Sequence, residues 1–340
     1  MKPLIHSLDR SELEAWLAKR GEPPFRAGQI LQWLYEKRVD DPAQMSNLPQ
    51  PLRAGLAEDF CFRPLEQRAV EGAPDGVRKL LVRLTDGELI EEVLIPAPSR
   101  RTVCVSSQVG CKFACAFCAS GRNGLRRNLQ PGEMTGQVLL AAAEYGDRVT
   151  HVVFMGVGEP FDNYETVLKA ARLLNSPEGF GISARRITVS TCGLIPGIRR
   201  FACEPEQFEL SVSLHAPDDE LRTRLMPVNR RYPLNDLLVA CRDYTEATGR
   251  IITFEYTLVR GVNDTVECAR QLIRRLKPFP CRVNLIPLSP TPEFKGAPPD
   301  PVSAAYFIRM LGDAGINATL RRSKGGGVQA ACGQLRAFSS

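Results

Sequence analysis

The chain lacks a long apolar run. No stretch of its 340 residues approaches the roughly 18 that mark a membrane span. Its start, MKPLIHSLDRSELEAWLAKR, is broken by charges and has no apolar core of a signal peptide. These absences point to a cytoplasmic protein with no membrane partner. No sequence repeats at a fixed spacing, which argues against an array of small units. Extremes of composition are missing too. Hydrophobic residues make up 44% and charged residues 24%, which excludes fibrous and wholly disordered classes. An even cysteine count is also absent. Eleven cysteines without an export signal argue against a secreted disulfide scaffold, leaving metal binding, redox chemistry or simple burial.

The length suits one large domain with a smaller one. The net charge of +6 is unevenly spread. Residues 1–100 hold 14 basic and 16 acidic side chains, and residues 101–340 hold 30 and 22. The larger part therefore suits an anionic partner, although the excess is small for its length.

Amphipathic spacing predicts helices over 8–20 and 25–38 and a short one near 52–58. Short strands follow near 61–70, 77–84 and 88–95, with Asp75-Gly76 and Asp86-Gly87 as turns. Pro96-Ala97-Pro98 is a natural boundary. From about residue 101, strand-like and helix-like segments alternate. Strands are expected at 101–106, 149–155, 186–190, 207–214, 251–258, 281–287 and 316–321. Helices are expected at 132–145, 163–175, 194–202, 234–247, 264–276 and 301–313. Such alternation means an α/β fold of parallel strands with crossover helices. Periodicity alone leaves a partly open barrel and a doubly wound sheet equally possible.

The sharpest feature is Cys111-Lys-Phe-Ala-Cys115-Ala-Phe-Cys118, just after the first of these strands. This spacing lets three thiolates point inward from one tight loop. They could hold three irons of a 4Fe–4S cube and leave the fourth open to a non-protein ligand. They could instead be part of a zinc site, although His151 is remote as a fourth ligand. Chance proximity among eleven cysteines is the third reading.

The C-x3-C-x2-C spacing, its flanks CVSSQVGC (104–111) and GRNGLRRNLQPGE (121–133), and the terminal AACGQL (330–335) together resemble the RlmN/Cfr family. These are radical S-adenosylmethionine enzymes that methylate adenosine in RNA. The resemblance covers nearly the whole chain and is closest to the type that acts on adenine carbon 2. It implies a partly open (β/α)6-type radical-SAM barrel over residues 99–321. A small N-terminal accessory domain of helices and antiparallel strands would span 1–98, and a catalytic tail 322–340. The implied substrate is 23S rRNA, with tRNA as a second one. Cfr-type relatives act on carbon 8 instead.

By resemblance, Cys111, Cys115 and Cys118 ligate a 4Fe–4S cluster. Two molecules of S-adenosylmethionine serve each turnover, and a small electron-transfer protein such as flavodoxin or ferredoxin supplies electrons to a monomeric enzyme. Gly158 and Glu159 in GVGEP, Ser190 in VSTCG, Ser213, Leu214 and His215 in SLHAP, and Ser289 in NLIPLSP would hold that cofactor. Val157, Cys192 and Ser289 stand where the family commonly has Met, Ser and Asn. The resemblance also implies that Cys332 carries the methyl group and that Cys104 forms a disulfide with it to free the product. Glu91 in IEEVLIP would be the proton acceptor. Gly325-Gly326-Gly327 replaces an acidic pair before AACGQL, which makes the methyl-bearing loop less negative. Arg122, Arg126, Arg127, Arg222, Arg224, Arg230, Arg231, Arg321, Arg322 and Lys324 lie at expected strand exits, where they could neutralise RNA phosphates.

Overall fold

The structure, a computed structural model, describes residues 2–292, 294–321 and 329–338. Helix α1 (Arg10–Ala18) opens on a capping box. The Asp9 carboxylate accepts from Glu12 N, and Glu12 returns the bond to Asp9 N. Helix α2 (Phe25–Leu31) runs on as a π-helical turn through Glu36, and α3 (Gln50–Asp59) follows Pro49. Leu13, Leu17, Ile30, Leu34, Leu52 and Leu56 meet in a core separate from that of the sheet.

Strands β1 (Leu65–Glu71), β2 (Arg78–Leu84), β3 (Leu89–Ala97) and β4 (Arg100–Cys104) form an antiparallel meander. A two-stranded clip follows, β5 (Gln108–Gly110) with β6 (Leu125–Asn128). Strands β7 (His151–Phe154), β8 (Ile187–Thr191), β9 (Glu209–Ser213), β10 (Ile252–Leu258), β11 (Cys281–Pro287) and β12 (Asn317–Leu320) then add in parallel, starting beside β4.

That order separates the two architectures left open by periodicity. Each parallel strand lies beside the next in sequence, with no reversal of direction across the sheet. A doubly wound sheet needs such a reversal, whereas right-handed crossovers without one keep the helices on one side and curl the sheet into a barrel. Among the described residues β12 pairs only with β11, so the barrel is partly open. The crossovers are α4 (Pro131–Tyr145), α5 (Tyr164–Asn175), α6 (Ile195–Phe201), α7 (Asp219–Leu225), α8 (Leu234–Thr248), α9 (Val266–Leu276) and α10 (Pro301–Asp313). Helix α7 was not expected. Its seven residues are too few for a period, and the Asp218 carboxylate that accepts from Leu221 N defines its start.

The proline-rich boundary at 96–98 does not interrupt the sheet, because β3 continues to Ala97 and pairs with β4. The chain ends by returning to this place. Strand β13 (Ala337–Phe338) pairs with Ile90 and Leu89 of β3. Arg322, Lys324 and Gly325-Gly326-Gly327 lie outside the described residues. Among the described residues, no helix is long and apolar enough to cross a membrane.

The β5–β6 clip sets where the cysteine loop begins and ends. Gly110 has φ +79, and a Cβ there would collide with the carbonyl oxygen of Gly124. Gly110→Ala is expected to destabilise the protein by about 2 kcal/mol or more, read as a fall in denaturation midpoint. An unchanged midpoint would show that the clip yields without cost.

Candidate active site

The clip closes a loop in which Cys111 N donates to Gly124 O (3.0 Å) and Cys118 N to Cys115 O (3.0 Å). Ala114 takes the left-handed conformation, φ 49. Gly121 packs so tightly on it that a Cβ would lie 2.8 Å from the Ala114 Cα. Ala116 N donates to Leu225 O (2.8 Å), which docks the loop on α7. Phe117, Leu225, Met226 and Leu288 form an apolar shell there.

Cys111, Cys115 and Cys118 line one cavity of ≈ 150 Å³. Among the described residues, no three His, Cys, Asp or Glu side chains converge on a single ion. Burial, with lesser help from Glu159 and the neighbouring thiols, pushes Cys111 up to about 12 and Cys115 well above the ordinary thiol range. These thiols therefore ligate as thiolates only where a positive centre draws off their protons.

The ends of the parallel strands form the opposite wall. Gly158, Glu159, Ser190, Ser213 and His215 all line this cavity. Gly158 has φ +108, and a Cβ there would lie 2.6 Å from the Gln108 Cβ, so backbone passes where a side chain cannot. The Glu159 carboxylate accepts from Phe161 N (3.0 Å) and Cys192 N (2.7 Å). His215, at φ 56, accepts on Nδ1 from Thr257 N (2.9 Å). Burial, reinforced by Arg222, lowers its pKa to about 3. The ring is thus neutral, and its remaining proton sits on Nε2. Leu214 and Ser289 are buried beside the site but do not line the cavity.

A second cavity, of ≈ 330 Å³, lies against the first. Cys104 at the end of β4 lines it, as do Val93, Thr102 and Ala330. Cys332, Gly333 and Arg321 line both cavities. The tail is fixed on this wall at several points. Ala119 N donates to Gly333 O (2.7 Å), Ser120 Oγ to Leu335 O (2.7 Å) and Gln334 Nε2 to Pro290 O (2.9 Å). Cys332 itself is exposed to the cavities, and Arg321 Nη1 donates to its Sγ (3.4 Å). Burial raises the thiol pKa above its ordinary value, and Arg321 opposes the rise. Burial pushes Cys104 up to about 12.

One expectation is corrected. All eleven cysteines are free thiols, Cys104 and Cys332 included, so there is no disulfide bond. Glu91 lines neither cavity. Its carboxylate pairs with Lys79 Nζ (2.9 Å) and accepts from Arg336 N (2.7 Å), so it latches the tail. Its neighbour Glu92 is fully buried, and burial raises its pKa well above the carboxylate range.

Several expected RNA contacts are engaged within the chain. Arg222 is fully buried. It donates through Nη2 to Cys192 O (2.8 Å) and Ser213 O (3.1 Å), bracing the ends of two strands. Arg126 pairs with Glu88 (2.7 Å), and Arg127 with Asp86 (2.6 Å) and Glu133 (2.8 Å). Arg122 Nη2 donates to Ala116 O (2.9 Å). Arg224, Arg230 and Arg231 are exposed.

The structure also brings in residues that sequence reasoning missed. Cys192, Glu255 and Thr257 line the cysteine cavity, and Gln108 Oε1 accepts from Glu159 N (2.8 Å). A lone carboxylate within the apolar strand ITFEYTL was the available signal for Glu255.

Residues 105–274 match the radical SAM superfamily, and residues 5–62 match the ribosomal RNA large subunit methyltransferase N-terminal domain. The chain is 48% identical over 340 residues to a protein of Geobacillus kaustophilus named "Probable dual-specificity RNA methyltransferase RlmN", covering 98% of this chain and 93% of the relative. A Bacillus licheniformis protein of the same name is 46% identical over 341 residues, covering 99% and 94%. The crystal structure of a radical SAM methyltransferase from Sphaerobacter thermophilus superposes with a TM-score of 0.95 at 48% identity, covering 98% of this chain and 99% of that one.

Removing the Glu91 carboxylate should loosen the tail. Glu91→Ala is expected to speed hydrogen exchange at the Arg336 amide by about tenfold, the loss of one charged hydrogen bond. Unchanged protection there would mean that the other tail contacts suffice.

Proposed function

The chain belongs to the RlmN family of radical S-adenosylmethionine RNA methyltransferases, and from that premise we propose that it methylates carbon 2 of an adenosine in 23S rRNA, with tRNA as a further substrate, through an S-methylcysteine at Cys332. One observation carries this reading: Cys332 stands on the wall shared by the cysteine cavity and the cavity of Cys104. A sulfur so placed can take a methyl group on one side and present it to a base on the other.

Cys111, Cys115 and Cys118 are the ligands of a 4Fe–4S cluster. The cluster, when bound, supplies the electron that cleaves S-adenosylmethionine to a 5′-deoxyadenosyl radical. Glu159, Ser190, Ser213 and His215 face the same cavity and orient the sulfonium cofactor. Gly158 lets it approach the backbone, and Leu214 and Ser289 support the wall from behind. Two cofactor molecules are used per turnover, one to methylate Cys332 and one to activate that methyl group. The apolar shell around Phe117 keeps water from the reacting carbon.

The target adenine leaves its stack to enter the larger cavity. Cys104 is the second thiol there, required to free the methylated base from Cys332. By its match to the family, Glu91 is the proton acceptor. Arg224, Arg230 and Arg231, together with the accessory unit over residues 1–98, hold RNA phosphates. The barrel over 99–321 and the tail over 322–340 complete a monomer that draws electrons from a flavodoxin or ferredoxin.

Mass spectrometry of nucleosides from unmodified 23S rRNA treated with enzyme, cofactor and reductant should show 2-methyladenosine. Methylation at carbon 8, or none at all, would overturn the reading. Cys111→Ala, Cys115→Ala and Cys118→Ala should each lack a four-iron cluster by iron and sulfide assay. A full complement in any of them would remove that cysteine from the ligand set. Cys104→Ala should accumulate a covalent RNA adduct, visible as a shifted band on denaturing gels. Normal turnover without that band would make Cys104 a core residue only.

A further inference from the structure

Arg321 follows β12, and its backbone N–H is fixed by Leu285 O (2.8 Å). Sequence position suggested a phosphate ligand. The side chain instead turns into the molecule and lines both cavities. Its guanidinium donates to Cys332 Sγ, with Nη1 3.4 Å away. The buried carboxylate of Glu255 interacts with the same guanidinium.

Glu255 is 5% exposed and part of a built site. Its Oε1 accepts from Asn284 Nδ2 (3.1 Å) and from Ser211 Oγ (3.4 Å). Thr319 Oγ1 donates to Asn284 Oδ1 (2.7 Å), so four neighbouring strands hold this carboxylate in place. Its Oε2 is buried and has no hydrogen-bond partner. Burial raises the Glu255 pKa, and the hydrogen bond from Asn284 and the charge of Arg321 oppose the rise. Arginine suits the position because its charge cannot be lost.

We propose that Arg321 is a positioning residue for methyl transfer to Cys332, donating to the sulfur on the wall between the two cavities so that its thiolate forms more readily there than it would without the guanidinium. The inference rests on the assignment of Cys332 as the methyl carrier. Only a thiolate attacks a sulfonium methyl group effectively. The thiol proton leaves to water in the cavity onto which Cys332 opens. A sulfur lone pair then forms the S–C bond as the S–CH3 bond of S-adenosylmethionine breaks. That bond's electron pair stays on the sulfur of S-adenosylhomocysteine. Cys332 ends as a neutral thioether. One cation thus serves the nucleophile before transfer and releases the product sulfur after it.

Thiol alkylation tests this without any cofactor. Wild type, Arg321→Met and Arg321→Lys would be treated briefly with iodoacetamide, and labelling quantified by peptide mass spectrometry. Labelling of Cys332 would be expressed relative to Cys203, which is exposed and lines neither cavity. The ratio should fall by about tenfold to a hundredfold in Arg321→Met, the effect of losing one charged hydrogen bond. Arg321→Lys should recover part of it. Methylation of Cys332 after incubation of reconstituted enzyme with S-adenosylmethionine and reductant should fall in the same order. A melting temperature for each variant identifies one that fails to fold, and Arg321→Lys then decides. A wild-type Cys332/Cys203 ratio in Arg321→Met, or in Arg321→Lys where that variant decides, overturns the inference. Absence of methyl on Cys332 in the wild type overturns the assignment of Cys332 instead.

Discussion

The hydrogen bond from Ala119 N to Gly333 O, at 2.7 Å, is the constraint on which the site depends. It joins the cysteine loop to the C-terminal tail, the two segments that carry the reactive sulfurs. Gly333 can make it because its φ of +83 turns the chain, and a Cβ there would lie 3.0 Å from Phe117 O. The junction helps to fix Cys332 on the wall shared by the two cavities. The bond from Ser120 Oγ to Leu335 O and the latch at Glu91 hold the same geometry from two further sides.

The barrel contributes rigidity at the opposite wall. Each strand end is tied to its neighbour by a buried polar group. Arg222 braces Cys192 and Ser213, and Glu159 accepts from Cys192 N. Asn263 Nδ2 donates to His215 O (2.7 Å). Strained or left-handed residues collect here, with Ala114 and His215 at positive φ. Conformations that cost about 1–3 kcal/mol each persist only where the surroundings impose them.

Burial keeps Cys104 protonated and His215 neutral, so neither carries charge into an apolar region. At Cys332 burial raises the thiol pKa and the Arg321 guanidinium opposes the rise.

What the sequence determined was local. The strands and crossover helices of the barrel were legible because alternation and helical periods are short-range patterns. The cysteine triplet was legible because its members lie within eight residues of one another. Gly158, Glu159, Ser190, Ser213 and His215 were legible as strand-end residues of a motif. Tertiary structure decided the rest. Strand order, not periodicity, chose the barrel over the doubly wound sheet. Arg222 and Arg321 occupy strand exits like surface arginines, yet both turn inward, because a long side chain's direction is set by the partners that distant strands provide. Glu91 finds its partner Arg336 at a separation of 245 residues, a distance over which no sequence pattern operates. The pairing of Cys332 with both cavities has the same origin, since only the folded sheet brings the end of the chain back to β3.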